Sequence, residues 1–295
     1  MVKSLCYLSL AFLTTTLSAG ENNFAYLALG DSVPFGMNVT LLPPYSTHPP
    51  VPSEFIGYPQ AVADIDRLLG LTALVNAGCP GETSGSFLNT TVVDNGCNSP
   101  HYQPPAPTIP PFKTTYGLHA SYTEAQMAFA ESQLQSNKQI KLVTLSIGAN
   151  DILLALPALE ACGTNTACAQ NVLTPVLQNY AANLAQILTR IRAQYQGTLI
   201  LMTYYSPEAA LDTVTQALNT AMTEVGNQFP HIAYANGYAA FQVASAPFNH
   251  DPCQAGLLIK LPPGPYTTTP CDIHPSPLGR ALLAAAVEFA ALGVK

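Results

Sequence analysis

Short apolar runs alternate with segments of helical periodicity along most of this 295-residue chain. Such alternation predicts an α/β fold, in which helices cover both faces of a parallel sheet. We see no repeat and no second domain, so we expect one domain over residues 21–295. The predicted strands cover residues 23–30, 71–78, 141–148, 198–205 and 231–236. The predicted helices cover residues 58–70, 121–137, 171–194, 209–229 and 277–292.

The apolar stripes of the predicted helices indicate which residues face the sheet. In the helix over residues 58–70, we expect Val62, Ile65, Leu68 and Leu69 to pack inward. In the long helix over residues 171–194, the inward stripe consists of Leu173, Val176, Leu177, Tyr180, Leu184, Ile187, Leu188 and Ile191.

Three long, irregular segments interrupt the alternation, at residues 37–55, 79–118 and 241–271. Each follows a predicted strand at its C-terminal end, which is the edge of an open α/β sheet where ligands bind. Loops of this length are uncommon unless they are functional or disordered. We interpret them as ordered walls of a cleft, and the alternative is surface loops without a role in binding.

The first twenty residues have the pattern of a secretory signal peptide. Lys3 provides a positive start, residues 5–13 are apolar, and Ser18-Ala19-Gly20 forms a small-x-small cleavage site. The apolar run is too short to span a bilayer. The alternative is an ordinary N-terminal strand. We expect residues 1–20 to be removed and the mature protein to be secreted, either extracellular or periplasmic.

Removal of the signal peptide takes away Cys6 and leaves six cysteines. An even number of cysteines in an exported chain favours disulfides. The alternative, thiolate ligands for a metal, is disfavoured because no pair has the Cys-x-x-Cys spacing of a zinc site. Pairing of sequence neighbours is the simplest arrangement, since each bridge then closes a loop between elements: Cys79 with Cys97, Cys162 with Cys168, and Cys253 with Cys271.

The charge of the chain argues against several classes of partner. Charged residues make up 9% of the sequence, the net charge is -7, and the isoelectric point is near 5.2. Ten Lys and Arg residues are too few for the basic patch that binding of nucleic acid requires. The same deficit disfavours attraction to anionic membranes. We expect a monomer with no nucleic-acid partner and no stable membrane anchor.

The first predicted strand ends in Gly30-Asp31-Ser32. A serine at this position projects from the C-terminal edge of the sheet, and the glycine allows a tight turn. If a helix begins just after the turn, the N–H of Ser32 faces the same space as its hydroxyl. One residue then supplies both a nucleophile and a donor to an oxyanion. The alternative is a simple turn, in which the same tripeptide is common.

Two further polar segments follow the next two predicted strands. Residues 76–85 contain Gly81, whose N–H can approach a ligand closely because glycine has no Cβ; the alternative is a tight structural loop. Residues 146–152 contain Asn150, whose amide can donate to developing negative charge. The alternative for this segment is a helix cap. We expect Asp151 to be that cap, which leaves Asn150 free.

His274 precedes the last predicted helix and is the expected general base, since an imidazole titrates near neutrality. A base of this kind activates a serine hydroxyl when the two lie within hydrogen-bond reach. The remaining histidines lie in loops or at the starts of elements, and we interpret them as surface residues: His48, His101, His119, His231 and His250.

The order of these segments resembles that of the GDSL or SGNH hydrolase family. The resemblance runs from Tyr26 to Gly279 and is strongest at ALGDS, NAGCPGETSGSF and LSIGANDI. It implies a flavodoxin-like, three-layer α/β/α fold with about five parallel strands and long loops over the C-terminal edge of the sheet. It also implies hydrolysis of esters without a metal or other cofactor. The residues that match the family's site are Ser32, Gly81, Asn150 and His274.

The sequence departs from the family pattern at two positions. Val33 stands where the family has a leucine. The family's acid lies three residues before the histidine, but Cys271 occupies that position here and Asp272 lies only two residues before His274. Either the Asp272 carboxylate bonds to the imidazole, or the backbone carbonyl of Cys271 does. We favour Asp272, because only a carboxylate places a full charge against the imidazolium.

The resemblance and the residues together predict a secreted serine esterase or lipase. Its roles are Ser32 as nucleophile, His274 as base, Asp272 as the orienting acid, and the Ser32, Gly81 and Asn150 donors as oxyanion hole. Its partner is an ester, whether a small molecule, a lipid or an acetylated glycan. One alternative is an acyltransferase that uses the same site. Another is a non-catalytic carbohydrate- or lipid-binding module, which is disfavoured because no site residue is missing.

Overall fold

A five-stranded parallel sheet lies at the centre of the computed structural model, which describes residues 23–102 and 107–293. The predicted fold class is therefore confirmed, and each predicted strand is present, although all five are shorter than expected. The signal peptide predicted for residues 1–20 lies outside the described residues. The strands are β1 (Phe24–Gly30), β2 (Leu71–Asn76), β3 (Ile140–Ser146), β4 (Leu199–Met202) and β5 (Ile232–Ala235).

The strands stand in the order β2-β1-β3-β4-β5, so β1 is flanked on both sides. Every residue of β1 from Ala25 to Leu29 is fully buried, as expected for a strand covered by helices on both faces. The register pairs Ala28 with Asn76 of β2, and Gly30 with Ser146 of β3. The three strands therefore end at one edge of the sheet, and the segments that follow them meet there.

Helices cover both faces of the sheet in two layers. The last helix packs against the second and the ninth, whereas the long seventh helix packs against the fifth, sixth and eighth. In chain order they are α1 (Ser32–Phe35), α2 (Tyr58–Asp66), α3 (Ser84–Leu88), α4 (Phe112–Thr115), α5 (Gln126–Ser136), α6 (Ala149–Ala161), α7 (Thr166–Gln194), α8 (Asp212–Gly226), α9 (Gly237–Ser245) and α10 (Pro277–Leu292).

For the helix predicted over residues 58–70, the prediction of which residues pack against the sheet was largely wrong. Val62 is buried, but Ile65, Leu68 and Leu69 are 47%, 91% and 67% exposed. The α-helix ends at Asp66, and a tight helical turn closes on Gly70, which adopts a left-handed φ of 104°. The change of pitch rotates both leucines away from the sheet. In α7, by contrast, the second half of the predicted stripe is buried, from Tyr180 to Ile191.

The helix predicted over residues 121–137 begins only at Gln126. The preceding segment is held in another conformation, because the hydroxyl of Tyr122 donates to the carbonyl of Ala77 at 2.7 Å. Residues 241–271 are also more regular than expected. They include the end of α9, all of β6 (Leu258–Lys260) and the first residue of β7 (Cys271–Pro275), which pairs with β6 in an antiparallel manner.

Three disulfides join the cysteines that are neighbours in the sequence, as predicted: Cys79–Cys97, Cys162–Cys168 and Cys253–Cys271. The metal-thiolate alternative is wrong for these six residues, since a disulfide sulfur is not a thiolate. The last bridge fixes the start of β7, the strand that carries His274. Within the described part of the chain, no helix combines the length and the apolar character needed to cross a bilayer.

Candidate active site

Ser32 is the first residue of α1, at the tight turn that follows β1. Gly30 has a φ of 130°, and a Cβ there would lie 1.9 Å from the carbonyl oxygen of Ser146, so only glycine fits. The Asp31 carboxylate caps the helix by accepting the N–H of Val33 at 2.9 Å. The N–H of Ser32 has no acceptor within the helix, because it lies at the N-terminus.

Asp31 is fully buried, and it also accepts a hydrogen bond from the hydroxyl of Tyr204. Burial raises the pKa of Asp31 to about 6, while the hydrogen bonds from Tyr204 and Val33 and the attraction of His274 act in the opposite direction. Sequence reasoning missed Tyr204, which follows β4 and is 173 residues away from Asp31. A carboxylate next to the turn of Ser32 is thus part of the electrostatic environment of the imidazole.

Gly81 and Asn150 are held together at the ends of β2 and β3. Gly81 has a left-handed φ of 85°, and a Cβ there would lie 2.3 Å from the carbonyl oxygen of Asn95. Asn150 Nδ2 donates to the carbonyl of Glu82 at 3.0 Å, and its Oδ1 accepts from Asn95 Nδ2 at 3.0 Å. A side-chain amide nitrogen carries two N–H groups, so one remains after the bond to Glu82.

The expectation that Asp151 caps α6 and leaves Asn150 free was wrong. The residue before α6 is Gly148, and the Asp151 carboxylate accepts the N–H of Ser84 at 2.8 Å and its hydroxyl at 2.5 Å. Burial raises the pKa of Asp151, and the bonds from Ser84 oppose the shift. Asn150 is therefore oriented by hydrogen bonds on both sides of its amide rather than free.

His274 lies on β7 with its Nδ1 2.6 Å from Asp272 Oδ2. The other candidate, the Cys271 carbonyl, accepts the hydroxyl of Thr269 at 2.8 Å. Burial lowers the pKa of His274, but the charge and the hydrogen bond of Asp272 outweigh it, so the net pKa is raised above 6.5. The hydroxyl of Tyr205 donates to the carbonyl of Ile273 at 2.7 Å, which helps to hold β7 in place.

A narrow cavity joins three of the four residues that the family resemblance singles out. Ser32, Asn150 and His274 all line it, and its volume is about 70 Å³ for the centre of a water molecule. Gly81 does not line this cavity, but Glu82, the next residue in the chain, holds the Asn150 amide. A hydroxyl, an imidazole paired with a carboxylate, and amide donors thus meet at the C-terminal edge of the sheet. This combination can carry out nucleophilic acyl transfer.

A profile of the GDSL-like lipase/acylhydrolase family matches residues 28–282. The chain belongs to the GDSL-like lipase/acylhydrolase family. The family resemblance drawn from the motifs is thereby confirmed. No curated protein matches the chain.

Solved structures with the same fold include several lipolytic proteins. One is a lipase from a goat rumen metagenome, with 14% identity, a TM-score of 0.53, and coverage of 91% of this chain and 97% of that chain. A second is a putative GDSL-like lipase from Parabacteroides merdae, with 13% identity, a TM-score of 0.51, and coverage of 92% and 97%. A third is phospholipase A1 from Streptomyces albidoflavus, with 16% identity, a TM-score of 0.50, and coverage of 92% and 98%. At these identities the likeness shows the shared fold.

Behind the motifs of this GDSL-like protein lies a buried polar network that sequence reasoning missed. Gln126 accepts the N–H of Gly30 at 2.6 Å and donates to the carbonyl of Gly30 at 2.9 Å. Both backbone polar groups of the residue before Asp31 are therefore bonded to one side chain. Gln126 also donates to the buried carboxyl of Glu82. Burial raises the pKa of Glu82 to about 8, against the attraction of Lys113 and the bond from Gln126.

The network connects the segments that carry the candidate site. Through its side chain, Glu82 contacts Gln126 and hence the turn before Ser32; through its backbone carbonyl, it contacts Asn150. Burial thus raises the pKa of Glu82 and favours the uncharged form of its carboxyl. The only signal in the sequence was the position of Glu82 directly after Gly81.

Two of the histidines interpreted as surface residues are half-buried. His119 Nε2 lies 2.9 Å from the carbonyl oxygen of Phe35, and burial lowers the pKa of His119. His101 Nδ1 lies 2.9 Å from Asn95 Oδ1. Both rings therefore have a structural role in the loops around the site. The other three, His48, His231 and His250, are exposed as expected.

Proposed function

We propose that this protein is a serine esterase that hydrolyses carboxylic esters through an acyl-enzyme on Ser32. The observation that carries the proposal is the shared cavity of Ser32, Asn150 and His274, in which His274 is paired with Asp272 at 2.6 Å. Membership of a lipase/acylhydrolase family supports the same reaction class. The individual roles proposed for Ser32, His274 and Asp272 are based on the geometry of their side chains.

In the proposed reaction, His274 Nε2 takes the proton of the Ser32 hydroxyl as the oxygen attacks the ester carbonyl. The N–H groups of Ser32 and Gly81 and the amide of Asn150 stabilise the oxyanion; each such donor is typically worth about 10²–10³ in turnover. His274 then protonates the departing alcohol. Water repeats the attack on the acyl-enzyme, and the acid leaves.

Asp272 has two roles in this scheme. Its bond to Nδ1 fixes the tautomer of His274 that leaves Nε2 free to accept a proton. Its charge stabilises the imidazolium, which agrees with the raised pKa of His274. Because the base must be uncharged to accept the proton, we expect activity to fall as the pH decreases through a value above 6.5.

We also propose that the mature protein acts outside the cytoplasm. Three disulfides favour an oxidising compartment, and the pattern of residues 1–20 predicts export. Sequencing of the N-terminus of protein recovered from the culture medium tests this: a start near Glu21 supports export, and an intact Met1 in the cytoplasm contradicts it.

Hydrolysis of a panel of p-nitrophenyl esters by the purified protein tests the proposed function. We expect turnover by the wild type and its loss in Ser32→Ala. Ser132→Ala is a matched control, since Ser132 is exposed on α5, and it should keep full activity. A wild type that is inert on every ester, or a Ser32→Ala variant that is fully active, contradicts the proposal. Transfer to an added alcohol that outruns hydrolysis would indicate an acyltransferase.

A further inference from the structure

The cavity beside Ser32 continues into an apolar slot between α6 and α8. We define the slot by five residues. Ile152 and Leu153 of α6 form one wall, and Val214 and Leu218 of α8 with Leu211 just before it form the other. Val214 and Leu218 are four residues apart, which places both on one face of the helix. Asn150 lines the same cavity, so the slot adjoins the proposed oxyanion hole.

The lining of the slot suits an aliphatic chain and not a sugar. Among the residues that the structure describes, no Asp, Glu, Lys or Arg lines the cavity. The two tyrosine hydroxyls in the lining are already engaged, since Tyr204 donates to Asp31 and Tyr205 donates to the carbonyl of Ile273. Besides the two tyrosines and the proposed site residues, Thr215 is the remaining polar side chain that lines the cavity in the described part of the chain. Most hydroxyls of a sugar placed there would lose water without gaining a partner, which is costly. Methylene groups lose nothing of this kind and gain from burial.

The two ends of the slot differ in how far their lining residues are exposed to solvent. Ile152 and Leu218 are 6% and 2% exposed, so the inner end is closed, whereas Leu153 and Val214 are half-buried. A closed inner end fits the part of the substrate that stays attached to Ser32 through both half-reactions. The alcohol, in contrast, has to leave before water can attack, and it needs the open side of the site.

We propose that the slot binds the acyl chain, and that the substrates are esters of short to medium aliphatic acids rather than acetylated sugars. The proposal rests on the proposed esterase function. A volume of about 70 Å³ for the centre of a water molecule has room for on the order of five waters, or for a chain of a few methylene groups. Each buried methylene raises kcat/KM about fourfold until the slot is full.

The test measures kcat/KM of the wild type on p-nitrophenyl acetate, butyrate, hexanoate and dodecanoate. We expect a rise from acetate to hexanoate and no further rise at dodecanoate. Val214→Phe narrows the slot and should lower the hexanoate-to-acetate ratio at least tenfold. Leu153→Phe does the same from the other wall, in case the first variant folds poorly. Thr213→Phe is the matched control, because Thr213 is exposed on the same helix, and its ratio should equal that of the wild type.

Several results overturn the proposal. If acetate is hydrolysed as fast as hexanoate, the slot does not select the acyl chain. The same conclusion follows if both narrowing variants fold and keep the wild-type hexanoate-to-acetate ratio. Acetates of methanol, butanol and hexanol provide another arm. If kcat/KM rises with the length of the alcohol and not of the acid, the slot holds the alcohol and the proposal is wrong.

A binding measurement separates failure of this proposal from failure of the esterase function. A wild type inert on all esters contradicts the proposed function, and the slot is then judged by calorimetry on Ser32→Ala with sodium hexanoate and sodium acetate. Tighter binding of hexanoate, lost on addition of Val214→Phe, supports an aliphatic slot. Equal affinity for the two acids overturns it.

Discussion

Replacement of Asp31 by Asn should make the protein more stable at neutral pH and less active. The pKa of Asp31 is raised from 3.8 to about 6 because the carboxyl is fully buried. The folded protein therefore holds this proton more tightly than the unfolded chain does, and stability is lost as the pH rises through about 6. At 1.36 kcal/mol per pKa unit, the loss is about 3 kcal/mol between pH 3 and pH 8. Asn carries no charge and pays no such penalty.

Urea unfolding of wild type and Asp31→Asn at a series of pH values measures this effect. Asn is as good a helix cap as Asp, so the bond to the Val33 N–H can be kept. We expect the difference in unfolding free energy between the variant and the wild type to increase by about 3 kcal/mol, in favour of the variant, from pH 3 to pH 8. Parallel pH curves for the two proteins would refute the reasoning.

The same substitution should weaken catalysis, because the negative charge of Asp31 helps to raise the pKa of His274. We expect the acid limb of the profile of kcat/KM against pH to move to lower pH in Asp31→Asn, with a reduced plateau. A gain in stability at the expense of activity is typical of residues retained for function. A variant with an unchanged pH profile would show that Asp31 acts only on the fold.

Three further predictions concern the supports of the site. Asp272→Asn should lower kcat by about 10³–10⁴, because an amide favours the wrong tautomer of the imidazole, and should move the acid limb of the pH profile downwards. Gln126→Leu leaves the N–H of Gly30 without its acceptor, whereas the carbonyl of Gly30 keeps the N–H of Cys79; we expect a loss of about 1–3 kcal/mol in unfolding free energy, seen by urea titration, together with a lower kcat at similar KM. Replacing Cys253 and Cys271 by serine should lower the unfolding free energy by about 3 kcal/mol, and the lower midpoint of thermal unfolding measures it.

The sheet and the positions of the motifs could be predicted because they depend on local pattern. Apolar runs such as residues 23–30 are continuous, and the carboxyl ends of parallel strands must meet at one edge, so Ser32 and Asn150 were expected to lie close together. The pairing of Asp272 with His274 was favoured because only a carboxylate places a full charge against the imidazolium, and the two residues are close in the sequence.

The contacts that the sequence did not reveal are long-range. Asp151 was expected to act as a cap because Asp often does so near the start of a helix, but its partner Ser84 is 67 residues away. Tyr204 and Gln126 reach the turn of Ser32 from distant parts of the chain. Nothing in the spacing of polar residues indicates such pairs, because they depend on how the helices pack across the sheet.

Covalent labelling by a fluorophosphonate tests the central claim most directly, since this reagent captures an activated serine without requiring the right ester. We expect mass spectrometry to find one adduct, on the peptide that contains Ser32, and to find none after His274→Ala. Labelling of another serine, or turnover of esters that persists in Ser32→Ala, would contradict the account.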